Sequence, residues 1–98
     1  MFGTKYEEIE KARKLLELPV TASIRQIRNN FKRLIKKWHP DICKENKEYC
    51  REMTENLVKA YRTIMDYCRE YRYSFEKQEV ERHESYQEWW NKQFGDLK

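Results

Sequence analysis

Glycine and proline are scarce in this chain, two of each among 98 residues. A sheet protein needs many tight turns, so their scarcity excludes a strand-rich fold and favours helices joined by short connections. Long apolar runs are also missing. None approaches the roughly 18 residues that cross a bilayer, and the opening Met1-Phe2-Gly3-Thr4-Lys5-Tyr6 lacks the apolar core of a secretory signal. The protein is therefore expected to be soluble and cytoplasmic, without a membrane partner. Cysteine occurs three times, at Cys43, Cys50 and Cys68, with no C-x-x-C pair. That odd, unpatterned set argues against a disulfide framework and against a zinc site, so no metal is expected. No glycine-rich phosphate loop is present, and the two histidines, His39 and His83, stand far apart with no nucleophile beside a base. Neither an enzyme nor a bound cofactor is expected, and no residue is assigned a catalytic role.

What is abundant is charge. Charged residues make up 39% of the chain and its net charge is +4, a modest excess until it is located. Between Ser23 and Asp41 stand Arg25, Arg28, Lys32, Arg33, Lys36 and Lys37 against the single acid Asp41, and the rest of the chain is close to neutral. A local cationic excess on a near-neutral background points to one docking face for an acidic surface.

Periodicity organises the chain, since repeats and low-complexity tracts are absent. A first helix is expected from about Tyr6 to Leu16, with Tyr6, Ile9, Ala12 and Leu16 on one side and Pro19 preventing continuation. Ser23, followed three residues later by Gln26, reads as a capping box that opens a second helix. On that helix, Ile24 to Trp38, the residues Ile24, Ile27, Phe31, Leu34, Ile35 and Trp38 share one arc of roughly 100°. The six basic side chains take the opposite arc. Pro40 disfavours helical geometry in His39, so the helix must end there. A third helix begins near Lys47 and carries Cys50, Met53, Leu57, Ala60, Tyr61, Ile64, Cys68 and Tyr71 as an apolar stripe. Cys50 and Cys68 are read as core residues behaving as small buried hydrophobes. From Ser74 onward the chain reads as a tail. Glu76 to Glu84 has no apolar stripe and is taken as a charged linker or a loose turn of helix. A second capping box, Ser85 with Glu88, then opens a short helix bearing Tyr86, Trp89, Trp90, Phe94 and Leu97. The division is residues 1–73 as one all-α domain, which is as much as a chain this short supports, and residues 74–98 as linker and aromatic helix.

The turn after the basic helix is His39-Pro40-Asp41. Pro40 fixes its own φ and restrains His39, holding a defined corner at low entropic cost. Asp41 is a lone acid beside a cationic helix, available to pair with an arginine of another molecule. Local roles compete: His39 in capping the helix C-terminus, Asp41 in shaping the turn. The basic face argues for more, since six like charges on one helix repel one another and gain no acid partners one turn away.

With Phe31-Lys32-Arg33-Leu34-Ile35-Lys36-Lys37-Trp38 leading into His39-Pro40-Asp41, and an Ala60-Tyr61 helix following, the chain resembles the J-domain family over roughly Leu15 to Ile64. The resemblance implies an antiparallel hairpin of the second and third helices, joined by the His-Pro-Asp loop. It also implies a co-chaperone that docks on a DnaK-type heat-shock ATPase and stimulates its ATP hydrolysis. His39, Pro40, Asp41, Arg28, Lys32 and Arg33 would then form the partner-binding set, with Asp41 engaging the ATPase and the three basic residues gripping an acidic patch. The chain departs from the family pattern in several places. Glu17 replaces the usual glycine after the first helix, Ala12-Arg13 an aromatic pair, and Asn30 a small residue. Val58-Lys59 stands where Asn-Glu is common, and Tyr71-Arg72-Tyr73-Ser74-Phe75 where many members begin a basic fourth helix. The glycine/phenylalanine-rich linker, cysteine-rich module and client-binding domain of larger members are absent from this sequence.

The competing function is nucleic-acid binding by a small basic helical domain, which a sequence pI near 9.0 permits. Base-reading helices usually offer Asn, Gln or Arg near the N-terminal end of an exposed face. Here charges continue to the C-terminal end, so no nucleic-acid partner is expected. The aromatic helix is expected to dock on the domain or self-associate, because Tyr86, Trp89, Trp90 and Phe94 left bare would form a large apolar patch. Client binding is the other role open to them.

Overall fold

The computed structural model describes the chain from Lys5 to Phe94, with side chains throughout that span except those of residues 85–87, 89, 90, 93 and 94. Four helices follow one another: α1 (Lys5–Leu15), α2 (Ile24–Trp38), α3 (Lys47–Glu70) and α4 (Lys77–Phe94). The fold is all-α, as the scarcity of turn residues implied.

Helix α3 is the spine. Both α1 and α2 pack against it, and each does so with its apolar stripe. Ala12, Leu16 and Leu18 from the first helix and its turn meet Ile27 and Leu34 of α2 and Leu57, Ala60, Ile64 and Met65 of α3 in one buried cluster. Leu16, Leu34 and Leu57 are essentially sealed from solvent, and burying a side chain of that size stabilises by about 1.5–3 kcal/mol. Phe31 stacks flat on Tyr61 with ring centroids 4.1 Å apart, whereas seven residues later Trp38 meets Tyr49 edge-on at 5.5 Å. Contacts that run backward along α3 as they run forward along α2 make the pair an antiparallel hairpin.

Three apolar assignments were too generous. Tyr6 is 70% exposed and Ile24 39% exposed, each in the first turn of its helix, and Tyr71 is 55% exposed because α3 ends at Glu70 and leaves it as the cap. Met65, one position past the expected stripe, is buried instead.

The cysteine expectation is overturned. Cys43 and Cys50 are joined by a disulfide, with Cα atoms 6.6 Å apart. The reason is local: the Pro40 corner turns the chain back, so a residue two positions past Asp41 meets the first turn of α3. Cys50 is buried as expected, but as half of a cystine. Cys68 is the free, half-buried cysteine packed against the core.

The tail differs too. Helix α4 begins at Lys77, so Ser85 lies within it and not at its start. A stretch without an apolar stripe is helical here because its charges pair one turn apart, Lys77 with Glu81 at 3.9 Å and Arg82 with Glu79. Among the described residues α4 packs against none of the other helices. The expectations for Tyr86, Trp89, Trp90, Phe94 and Leu97 fall on side chains outside the description.

Candidate functional site: the His-Pro-Asp corner and the basic face of α2

The position of α2 is set at its start by the turn that precedes it. Helix α1 ends in a Schellman arrangement: the amide of Glu17 donates to Lys14 O and that of Leu18 to Arg13 O, both at 3.0 Å. Its left-handed residue is Glu17, with φ 55°, where glycine would be free of Cβ strain. Residues of α2 compensate. Asn30 Nδ2 donates to Leu16 O and Glu17 O at 3.1 Å, and Arg33 Nη2 pairs with Glu17 Oε1 at 2.8 Å. Arg13 adds a bond to Leu18 O at 2.7 Å while pairing with Glu10. That pairing holds the Glu10 carboxyl below its ordinary pKa and the Arg13 guanidinium above its own, each chiefly through the shared hydrogen bond.

The helix entry then shows the Ser23 half of the expected capping box. Ser23 Oγ accepts from the Gln26 amide at 3.1 Å. Arg25, Arg28, Lys32, Arg33, Lys36 and Lys37 are all exposed, on the side away from α3. Lys32, Arg33, Lys36 and Lys37 line one shallow surface groove with Asn29. Arg33 is committed in part to Glu17, and Lys37 lies over the Trp38 ring at 5.4 Å. Arg28 and Lys32 flank them with no such tie among the described residues.

The corner itself follows at once. Helix α2 stops at His39, whose ψ of 132° is extended as a residue before proline prefers. His39 O accepts the amides of Ile42 and Cys43, both at 2.9 Å. Its Nδ1 accepts the Asp41 amide at 3.1 Å, which places the ring proton on Nε2. The Asp41 carboxylate stands 3.8 Å from that ring, and its side chain is 84% exposed. The corner is thus neither helical nor covered: three amides converge on His39 and leave the aspartate facing outward.

Helix α3 anchors the far side. Asn46 Oδ1 caps it through the amides of Glu48 and Tyr49, at 2.8 and 3.2 Å. Thr54 Oγ1 lies 3.0 Å from Trp38 O and 2.9 Å from Cys50 O, joining the last carbonyl of α2 to α3. The disulfide ties Cys43 to the same helix. His39, Pro40 and Asp41 therefore sit together at one end of the hairpin, with Lys36 and Lys37 a turn back and Arg28, Lys32 and Arg33 farther along the same helix. Sequence reasoning missed the supports: Glu17 with Asn30 and Arg33, Thr54, and the Cys43–Cys50 link. The one available signal was the placement of both cysteines at the same proline-braced corner.

The chain is similar to known proteins over the span that holds this corner. The family model described as the DnaJ domain matches residues 13–74. Among curated proteins, "Chaperone protein DnaJ 2" of Aquifex aeolicus is 38% identical over 52 residues, covering 53% of this chain and 13% of that protein. "Chaperone protein DnaJ" of Thermoplasma acidophilum is 36% identical over 53 residues, or 54% of this chain and 14% of its own. That of Thermosipho melanesiensis is 38% identical over 52 residues, with coverage of 53% and 14%. The chain spans about one-seventh of the length of these relatives. No solved structure matches.

Proposed function

Since the chain belongs to the DnaJ-domain family, we propose that it is a co-chaperone that docks on a DnaK-type heat-shock ATPase and stimulates its ATP hydrolysis, acting in the cytoplasm as a regulator and not as an enzyme. The observation that carries the reading is the exposed Asp41 carboxylate, held by the corner at His39 beside a cationic helix face. In this reading Arg28, Lys32 and Arg33 meet an acidic patch on the partner, steering it and fixing its register. Asp41 then offers a charge-assisted bond to a partner arginine, the strongest kind of contact available to an exposed carboxylate. His39 and Pro40 act by shape, keeping the aspartate where the docked partner can reach it. The nucleotide and the groups that cleave it belong to the partner.

The test is single-turnover ATP hydrolysis by a DnaK-type chaperone with and without this protein. Wild type should raise the rate and Asp41→Asn should abolish the rise while leaving the circular dichroism unchanged. Failure of wild type with several such chaperones would reject the reading. Sequence-dependent duplex affinity that survives physiological salt would replace it with nucleic-acid binding. A contribution of Tyr86, Trp89, Trp90 and Phe94 to client binding or self-association is part of the same proposal, tested by solution mass with and without residues 85–98.

A further inference from the structure

We propose that the Cys43–Cys50 disulfide is a thiol–disulfide exchange site whose substrate is a dithiol reductant, and that its opening loosens the corner that presents Asp41. Three observations carry this. The backbone amides of residues 41–43 all donate to His39, within the corner itself. The upstream side is joined to α3 through Thr54 at Trp38 O, and the downstream side is joined to it by the disulfide, two residues after Asp41. Between Cys43 and the α3 cap at Asn46 lie only Lys44 and Glu45, both exposed. The covalent link is thus the element that couples the second half of the corner to the rigid spine.

The two sulfurs are unequal in access. Cys50 is fully buried, whereas Cys43 is only partly covered. A reductant therefore meets Cys43 first, and the chemistry has one order. Its thiolate attacks the Cys43 sulfur, the S–S bond breaks, and the electron pair leaves on Cys50, which takes a proton from water. The second thiol of the reductant then attacks the mixed disulfide and releases Cys43, which is protonated in turn. Two electrons and two protons pass to the protein and the dithiol becomes a disulfide. Cys68 takes no part: 18 residues farther along α3, it lies about 27 Å away at 1.5 Å per residue.

Only the consequence for partner stimulation rests on the co-chaperone reading; the opening of the corner does not. Whole protein is first alkylated without reductant, which should modify Cys68 alone. After dithiothreitol, three cysteines should react, and oxidised glutathione should restore the single-site pattern. Hydrogen exchange is then compared between the two alkylated forms, freed of reductant. The amides of Ile42 and Cys43 should exchange about tenfold faster in the opened form, with mid-α2 amides unchanged. Stimulation of a DnaK-type ATPase should fall several-fold, and Cys43→Ser should show the lowered level regardless of reductant. Equal exchange at Ile42 and Cys43 in both forms would overturn the proposal, as would three reactive cysteines that oxidant never re-pairs. Faster exchange with no stimulation in either form would uphold the exchange site and reject the co-chaperone reading.

Discussion

Replacement of Glu17 probes how α2 is held and whether Arg33 is free to act. Glu17 occupies left-handed backbone, φ 55°, which costs an L-residue about 1–2 kcal/mol relative to right-handed geometry. Glycine escapes that cost but returns about 0.5–1 kcal/mol through its freer unfolded chain. Both Glu17→Gly and Glu17→Ala lose the bond to Arg33, whose two partners are more than half exposed; such a pair contributes about 0.5 kcal/mol. Comparing the two variants cancels the ion pair and isolates the backbone. The glycine variant should be more stable than the alanine variant by about 1 kcal/mol, a melting difference of about 4–8 °C for a domain of this size. Thermal denaturation followed by circular dichroism measures it. In both variants Arg33 gives up its intramolecular partner, so half-maximal stimulation of the ATPase should need up to about twofold less protein, the equivalent of the released pairing energy. An alanine variant that melts at or above the glycine variant would refute the account of the turn. Weaker partner binding by both would refute the assignment of Arg33 to the grip.

The other expectations are more direct. Thr54→Val removes the hydroxyl between Trp38 O and Cys50 O and should cost about 1 kcal/mol in urea denaturation, the usual loss for one such bond. Leu57→Ala, at a sealed core position, should cost about 2–5 kcal/mol in the same assay. Opening the disulfide, whose cysteines are seven residues apart, should cost about 2.4 kcal/mol by loop-closure entropy and lower the melting temperature by about 10 °C. Glu10 has its pKa lowered by Arg13. Its contribution to stability is present above the unfolded carboxylate pKa and fades as pH falls through the lowered folded value. Glu10→Gln should therefore lower stability at neutral and basic pH, where the contribution is present, and converge with wild type in acid, which flattens the acid limb of a stability–pH profile.

The hairpin was legible because its signals are local. Ser23 and Gln26 mark the start of α2, Pro40 marks its end, and the 3.6-residue stripe from Ile27 to Trp38 faces α3. Helix α4 was only half legible, since a helix held by Lys77–Glu81 and Arg82–Glu79 pairs shows no stripe to read. The ties that brace the site were hidden for a different reason. Asn30 reaches back 13 and 14 residues to the carbonyls of Glu17 and Leu16, and Thr54 reaches 16 to Trp38. Such partners are defined only once the helices have packed. The cysteines mislead through counting: an odd total excludes complete pairing, yet leaves one pair possible wherever the backbone doubles back.

These hidden ties have a common geometry. At the start of α2, Asn30 and Arg33 fasten the helix to the α1 turn; at its end, Thr54 and the cystine fasten the corner to α3. Asn30, Thr54 and the cystine lie on the inner side or at the ends, so apart from Arg33 the outward face from Arg28 to Lys37 and the Asp41 carboxylate bear the least structural duty. A surface that must meet a partner in one register gains affinity when ordering is complete before contact, because less entropy is lost on docking. Glu17 illustrates the division. A strained residue is tolerated at the turn, where its carbonyl is held by Asn30, while the corner at the other end is built from unstrained extended and turn geometry. Asn30→Ala at one end, or opening the cystine at the other, should therefore lower stimulation of a DnaK-type ATPase without altering any residue proposed to grip it, and the two together should lower it by more than the product of the separate losses, since Arg33–Glu17 and Thr54–Trp38 would then be the remaining polar ties beside the core contacts.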